Sequence, residues 1–168
     1  LRHVWPKARI GLYCEFFYRS EGADVGFDPE TSVVTEAEAS RVTLRNAAML
    51  LAMDGADAAL APTRWQASTY PESFRSRIAV IHDGIDTAAA APDLGATFAL
   101  DGRLLSRRDE VITFVTRSLE PYRGYHVFMR ALPALLKARP NAEVLIVGQE
   151  GVSYGVPRED GVSWKQAM

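Results

Sequence analysis

Three residues of one short loop have the types and spacing to do chemistry. Arg117, Arg123 and Gly124 fall within VITFVTRSLEPYRGYHVFMRALPALLKARPNAEVLIVG, residues Val111 to Gly148. A guanidinium offers a rigid fork of donors and keeps its charge, so two of them beside a helix start suit a phosphate or diphosphate. The helix start adds unpaired backbone N–H groups and the positive end of its dipole. Gly124 removes a side chain where a ligand oxygen would approach the backbone. The local pattern alone also admits a blander reading, in which both arginines are surface charges and one pairs with Glu120. A second candidate is Glu15, near the carboxyl end of an apolar, aromatic run from Ala8 to Phe17 that reads as a strand. The polar loop after it, with Tyr18, Arg19, Glu21 and Asp24, is a candidate substrate wall or else a solvated loop with internal salt bridges.

The elements around the arginines form a βαβ unit. Val111 to Thr116 and Ala142 to Gly148 are short apolar runs rich in β-branched residues, as strands covered on both faces require. Between them Phe128, Ala131, Leu132 and Leu135 recur at helical spacing and predict one buried stripe. Pro133 removes the N–H that would bond the Met129 carbonyl, so a bend is expected there. Two strands joined in this way run parallel, and ligands of such sheets sit beyond the strands' carboxyl ends.

Upstream, Glu38 to Asp54 reads as a helix with Leu44, Ala47, Ala48 and Leu51 on its apolar stripe and Gly55 as its stop. Arg45 and Asn46 project elsewhere. Ala58 to Ala61 is a short apolar segment, and Thr63 with Gln66 carries a capping-box signature. Ala79 to Ile81 is another short strand, with His82-Asp83-Gly84 as its turn, where His82 reads as structural. The small, unpatterned DTAAAAPDLG that follows is the linker candidate, which divides the chain into residues 1–87 and 88–168. Asp101-Gly102, flanked by Thr97 to Leu100 and Leu104-Leu105, signals a hairpin. In GQEGVSYG, Ser153 and Tyr154 offer hydroxyls at a strand end, and Ser163 is placed to cap a helix.

Composition narrows the function. With 19 basic and 21 acidic side chains and a net charge of -2, there is no basic stripe for nucleic acid. The single cysteine, Cys14, excludes an intramolecular disulfide. No apolar run approaches the roughly 18 residues of a membrane span. No His/Cys cluster has metal-ligand spacing, and no Gly-x-Ser-x-Gly elbow occurs. Both ends read as cut, which predicts a piece of a longer protein.

The segment TRSLEPYRGYHVFMRALPALLKARPNAEVLIVGQEG, together with PTRWQ and IAVIHDGID upstream, resembles the retaining, GT-B-fold glycosyltransferases of family 4, the group 1 glycosyl transferases. The resemblance is fullest over residues 58–151. It implies an α/β, Rossmann-like GT-B architecture, here partial, with a small hairpin before the second-domain βαβ unit. Residues 1–87 would then be the end of the first, acceptor-side domain and 88–168 the start of the second, donor domain. The implied reaction moves a sugar from a nucleoside diphosphate sugar to a hydroxyl of a glycan or glycolipid, with retention and no required cofactor or metal. Arg117 and Arg123 match the family's Arg and Lys that hold the donor diphosphate, with Gly124 beside them. Departures are Thr116 for Gly, Arg123 for Lys, and His82-Asp83 where Tyr/Pro-Asn is commoner. Where family members commonly have a first-domain His facing the sugar, this chain has Glu15, which stands as the candidate catalytic residue. The family's paired donor glutamates would lie downstream of residue 168, so the chain alone is expected to be inactive. A cytoplasmic location at the inner face of the membrane, with peripheral association, also follows from the resemblance. The rivals are a GT-B-like epimerase or phosphorylase, and a non-catalytic Rossmann-like module binding a phosphorylated ligand or a partner protein. Pyridoxal phosphate would need a well-placed lysine, and Lys7, Lys137 and Lys165 are not so placed.

Overall fold

The computed structural model describes residues 4–20, 22, 23, 25–30 and 34–168, so Glu21 and Asp24 of the expected substrate wall lie outside the described residues. The chain divides into two compact units, residues 1–90 and 91–168. Both are mixed α/β structures built on parallel strand pairs with helices, in the Rossmann-like manner the sequence predicts.

In the first unit, β1 (Gly11–Tyr13), β2 (Ala58–Ala61) and β3 (Ile78–Val80) form a parallel sheet in that order. The strand expected over Ala8 to Phe17 is thus far shorter, because only Gly11, Leu12 and Tyr13 find ladder partners on β2. Helix α1 (Glu36–Gly55) links β1 to β2, and a capping box between Thr35 and Glu38 satisfies its first N–H groups. The expected stripe is on the wrong face. Leu44 and Leu51 are 74% and 76% exposed, and Ala47 and Ala48 are exposed too. The inward face carries Val42, Asn46, Met49, Leu50 and Met53, and its Asn46 hid it from a purely apolar count. Helices α2 (Arg64–Thr69) and α3 (Glu72–Arg75) complete the unit. As Thr63 and Gln66 predict, Thr63 caps α2, its hydroxyl accepting from the Gln66 N–H at 3.1 Å. Cys14, Met53, Ala59, Ala61, Ala67, Tyr70 and Ile78 make the core, with Leu12, Phe17 and Phe74 packed against it.

In the second unit, β4 (Thr97–Leu100) and β5 (Arg103–Ser106) form the expected hairpin. Its turn places Asp101 at φ 47° and Gly102 at φ 80°, the left-handed pair that Asp-Gly favours. Strands β6 (Val111–Ser118) and β7 (Glu143–Gln149) pair in parallel, joined by α4 (Tyr125–Ala138). Phe114 of β6 stacks on Phe128 of α4 with ring centroids 4.7 Å apart and meets Tyr125 at 5.9 Å. The helix stripe is partly as predicted. Phe128 and Leu132 are half-buried, but Ala131 and Leu135 are exposed, and Tyr125 and His126 are the most buried. A two-stranded sheet is too narrow to cover the whole helix face. The helix runs through Pro133. Ser163 caps α5 (Trp164–Ala167) through a capping box with Gln166, as expected.

Candidate functional site

Glu15 lies two residues past β1, exposed, at the carboxyl edge of the first sheet. The segment leading away from it is pinned from two helices. Asn46 of α1 brackets the Tyr18 backbone, accepting from its N–H at 3.0 Å and donating to its carbonyl at 2.7 Å. Thr69 of α2 accepts from the Phe17 N–H at 3.0 Å. The Arg45 guanidinium lies 4.1 Å from the centre of the Tyr18 ring. Arg45 and Asn46 therefore serve the chain leaving β1.

The same edge holds a contact between residues far apart in sequence. The Tyr13 hydroxyl donates to the Asp83 carboxylate at 2.6 Å, from one outer strand to the turn after the other. That hydrogen bond, with burial and the negative charges of Asp83 and Glu15, pushes the Tyr13 pKa up to about 12. His82 closes its own turn, its Nδ1 accepting from the Gly84 N–H at 3.0 Å.

The arginines belong to the second unit. Arg117 lies within β6 rather than after it, because the ladder continues to Ser118. Register passes from Val115–Val147 to Ser118–Gln149, so Thr116 and Arg117 together oppose Gly148 alone. This is a β-bulge, a device that locally re-aims a strand. Gly148 makes room for it, since a Cβ there would sit 2.8 Å from Leu119 Cδ2 and 3.1 Å from Thr116 Cγ2. A short helical turn, Pro121–Arg123, then leads to Gly124, which takes φ 74° and opens α4. The positive φ favours glycine, and a side chain there would be strained. A Cβ on Gly124 would meet nothing within 4 Å, so the space before the helix end is open. Arg117 and Arg123 are both exposed.

Glu120 pairs with neither arginine. It is fully buried and takes its hydrogen bonds from the loop after β7. Ser153 donates through its N–H at 3.1 Å and its hydroxyl at 2.5 Å, Tyr154 through its N–H at 3.3 Å, and Gly155 through its N–H at 2.9 Å. Three successive backbone N–H groups form an anion-binding nest, filled here by the chain's own carboxylate. Burial pushes the Glu120 pKa up, but the Ser153 hydroxyl and the N–H groups of Gly155, Ser153 and Tyr154 outweigh it and hold the carboxyl below its ordinary value. The Tyr154 ring lies 5.1 Å from the Arg123 guanidinium, a cation–π distance. Sequence reasoning noticed Ser153 and Tyr154 for their hydroxyls. It missed that Ser153 serves Glu120 and that Tyr154 offers its ring and its N–H.

Among the described residues, no group of three or more His, Cys, Asp or Glu side chains is arranged to hold a metal ion, and no helix is long and apolar enough to cross a membrane. No curated protein and no solved structure matches the chain. The sequence profile of the Glycosyl transferase family 4 group matches residues 1–90, which overlaps the fullest part of the motif resemblance over residues 58–90. That match spans more than half of the 168 residues. It brings glycosyl transfer, with a sugar donor and an acceptor, as the general activity, and the chain belongs to the Glycosyl transferase family 4 group.

Proposed function

We propose that the protein transfers a sugar, with retention, from a nucleoside diphosphate sugar to a hydroxyl of a glycan or glycolipid. On this reading the first unit is the end of the acceptor-side domain of a GT-B enzyme, and the second is the start of its donor domain. Arg117, Arg123 and the open end of α4 at Gly124 hold the donor's diphosphate. Glu15, at the carboxyl edge of the first sheet, is the acidic group available to the reacting sugar or acceptor.

The observation that carries the reading is the entrance to α4. A left-handed glycine with open space in front of it lies beside Arg123, and a bulge carries Arg117 at the end of the preceding strand. Negative charge builds on the diphosphate as the sugar departs, so fixed positive groups there stabilise the transition state more than the ground state. Two guanidiniums and a helix terminus supply that charge without calling on a metal ion.

Calorimetric titration with UDP, GDP, ADP and their sugars tests it. One diphosphate should bind, and Arg117→Ala and Arg123→Ala should each weaken it by about 1.5–3 kcal/mol, the range for a hydrogen bond to a charged group. Unchanged binding in both variants, or no binding of any diphosphate to the protein with both units folded, would refute the reading.

A further inference from the structure

The geometry points to Glu120 as the positioning residue for Arg123, an inference that rests on the diphosphate reading above. The Glu120 carboxylate gathers the loop Ser153-Tyr154-Gly155, and the loop sets the Tyr154 ring against the Arg123 guanidinium. Arg123 is thereby presented in one arrangement to the diphosphate.

A fully buried carboxylate is expensive unless each oxygen finds donors. Here every donor comes from three consecutive residues more than thirty positions away: Ser153, Tyr154 and Gly155. The carboxylate and the loop therefore fix each other. Gly155 shows how close the fit is, since a Cβ there would lie 2.9 Å from Glu120 Oε2 and 3.3 Å from Tyr122 Cδ2. Tyr154 sits in the middle of the clamped loop. Its N–H is turned to the carboxylate, while its side chain remains 64% exposed. A half-free ring held by a fixed backbone is a platform. Arg123, three residues after Glu120, lies against it. An arginine has many rotamers, and holding it in one arrangement before the ligand arrives lowers what binding must spend on ordering it. The carboxylate thus serves the guanidinium through the loop and the ring, with no contact between the two charges.

The test uses the full chain, inorganic pyrophosphate as the probe, and two independent readouts. The first is the nuclear Overhauser contact between the Arg123 side chain and the Tyr154 ring. It should be present in the wild type and in Tyr154→Phe, and lost in Glu120→Gln. The second is pyrophosphate affinity in a double-mutant cycle. Glu120→Gln should weaken binding about three- to tenfold in the wild-type background and leave it unchanged in the Arg123→Ala background. A purely structural brace would give the same loss in both backgrounds. If Glu120→Gln fails to fold, Ser153→Ala removes a single donor and takes its place in both readouts. Persistence of the ring contact in the variant, or equal weakening in both backgrounds, would overturn the proposal. If the wild type binds no pyrophosphate but the contact still depends on Glu120, the diphosphate reading falls and the positioning stands.

Discussion

The two faces of α1 provide a sharp experimental contrast. Asn46 makes two hydrogen bonds to the Tyr18 backbone at 3.0 and 2.7 Å, from a half-buried position. At about 0.5–1.5 kcal/mol net for each bond, Asn46→Ala should destabilise by about 1–3 kcal/mol. With a urea slope of about 2 kcal/mol/M, that lowers the unfolding midpoint by roughly 0.5–1.5 M. Asn46→Asp separates the two bonds, because its carboxylate still accepts from the Tyr18 N–H but faces the Tyr18 carbonyl with a second acceptor. It should fall between Asn46→Ala and the wild type, or below both if the repulsion dominates. Leu44→Ser and Leu51→Ser change the opposite, exposed face and should each alter stability by no more than about 0.5 kcal/mol. Met53→Ala, on the inward face and fully buried, should cost about 2–5 kcal/mol. Urea titration followed by far-ultraviolet circular dichroism measures all five. A loss in Leu44→Ser or Leu51→Ser as large as that in Asn46→Ala would show that the apolar stripe, not the Asn46 face, is the one that packs.

Other perturbations address the remaining features. Gly148→Ala should destabilise by about 1–3 kcal/mol in a thermal melt, because the new methyl presses on Leu119 and Thr116 at the bulge; an unchanged midpoint would mean that the bulge relaxes freely. In a spectrophotometric titration, one tyrosine should ionise near 12, and Asp83→Asn should return it toward the ordinary value of 10, since the hydrogen bond and charge that raise Tyr13 come from Asp83. Identical difference curves for wild type and variant would remove that contact. The acid behaviour of Glu120 has a definite sign. The unfolded chain takes up the proton at the ordinary value of 4.5 and the folded chain only below it, so its stabilising contribution is complete above 4.5 and is lost as the pH falls toward the lower, folded value. Urea midpoints measured through this range should fall more steeply for the wild type than for Glu120→Gln, and parallel lines would contradict the assignment.

Sequence signals specify structure where the physics is local. Asp101-Gly102 demands left-handed backbone and gives the hairpin; Thr63 and Ser163 are caps because their hydroxyls reach N–H groups three residues on. Thr35 and Glu38 carried the same signal, which would have started α1 at Glu36 rather than Glu38. The errors share a cause. Apolar periodicity alone points to the Leu44 and Leu51 face of α1, whereas the packed face is defined partly by an amide serving a distant backbone. The aromatics of Ala8 to Phe17 suggest a long strand, yet Phe16 and Phe17 belong to side-chain clusters with Trp65 and Tyr70 and not to the ladder. The candidate site divides in the same way between local and distant features. The charges at Arg117 and Arg123 and the preference for glycine at Gly124 are properties of a short loop. The bulge depends on register with β7, and the Glu120 clamp and the Tyr13–Asp83 contact join residues 33 and 70 positions apart. Pairings of that kind have no local signature.

Cys14 makes the first unit a timekeeper of its own breathing. The thiol is fully buried, donates to the Met53 sulfur at 3.6 Å, and has its pKa pushed up by burial. Since the thiolate is the reactive form, an alkylating reagent finds almost no target while the unit is closed. It is the chain's sole sulfhydryl, so each mass increment recorded after a pulse of reagent counts one opening event at one place. That place immediately precedes Glu15 and the segment held by Asn46 and Thr69. The modification rate, compared with that of an unstructured thiol, gives the opening equilibrium of this edge directly. Any ligand that settles against the edge should slow the clock, whether or not a product is ever formed.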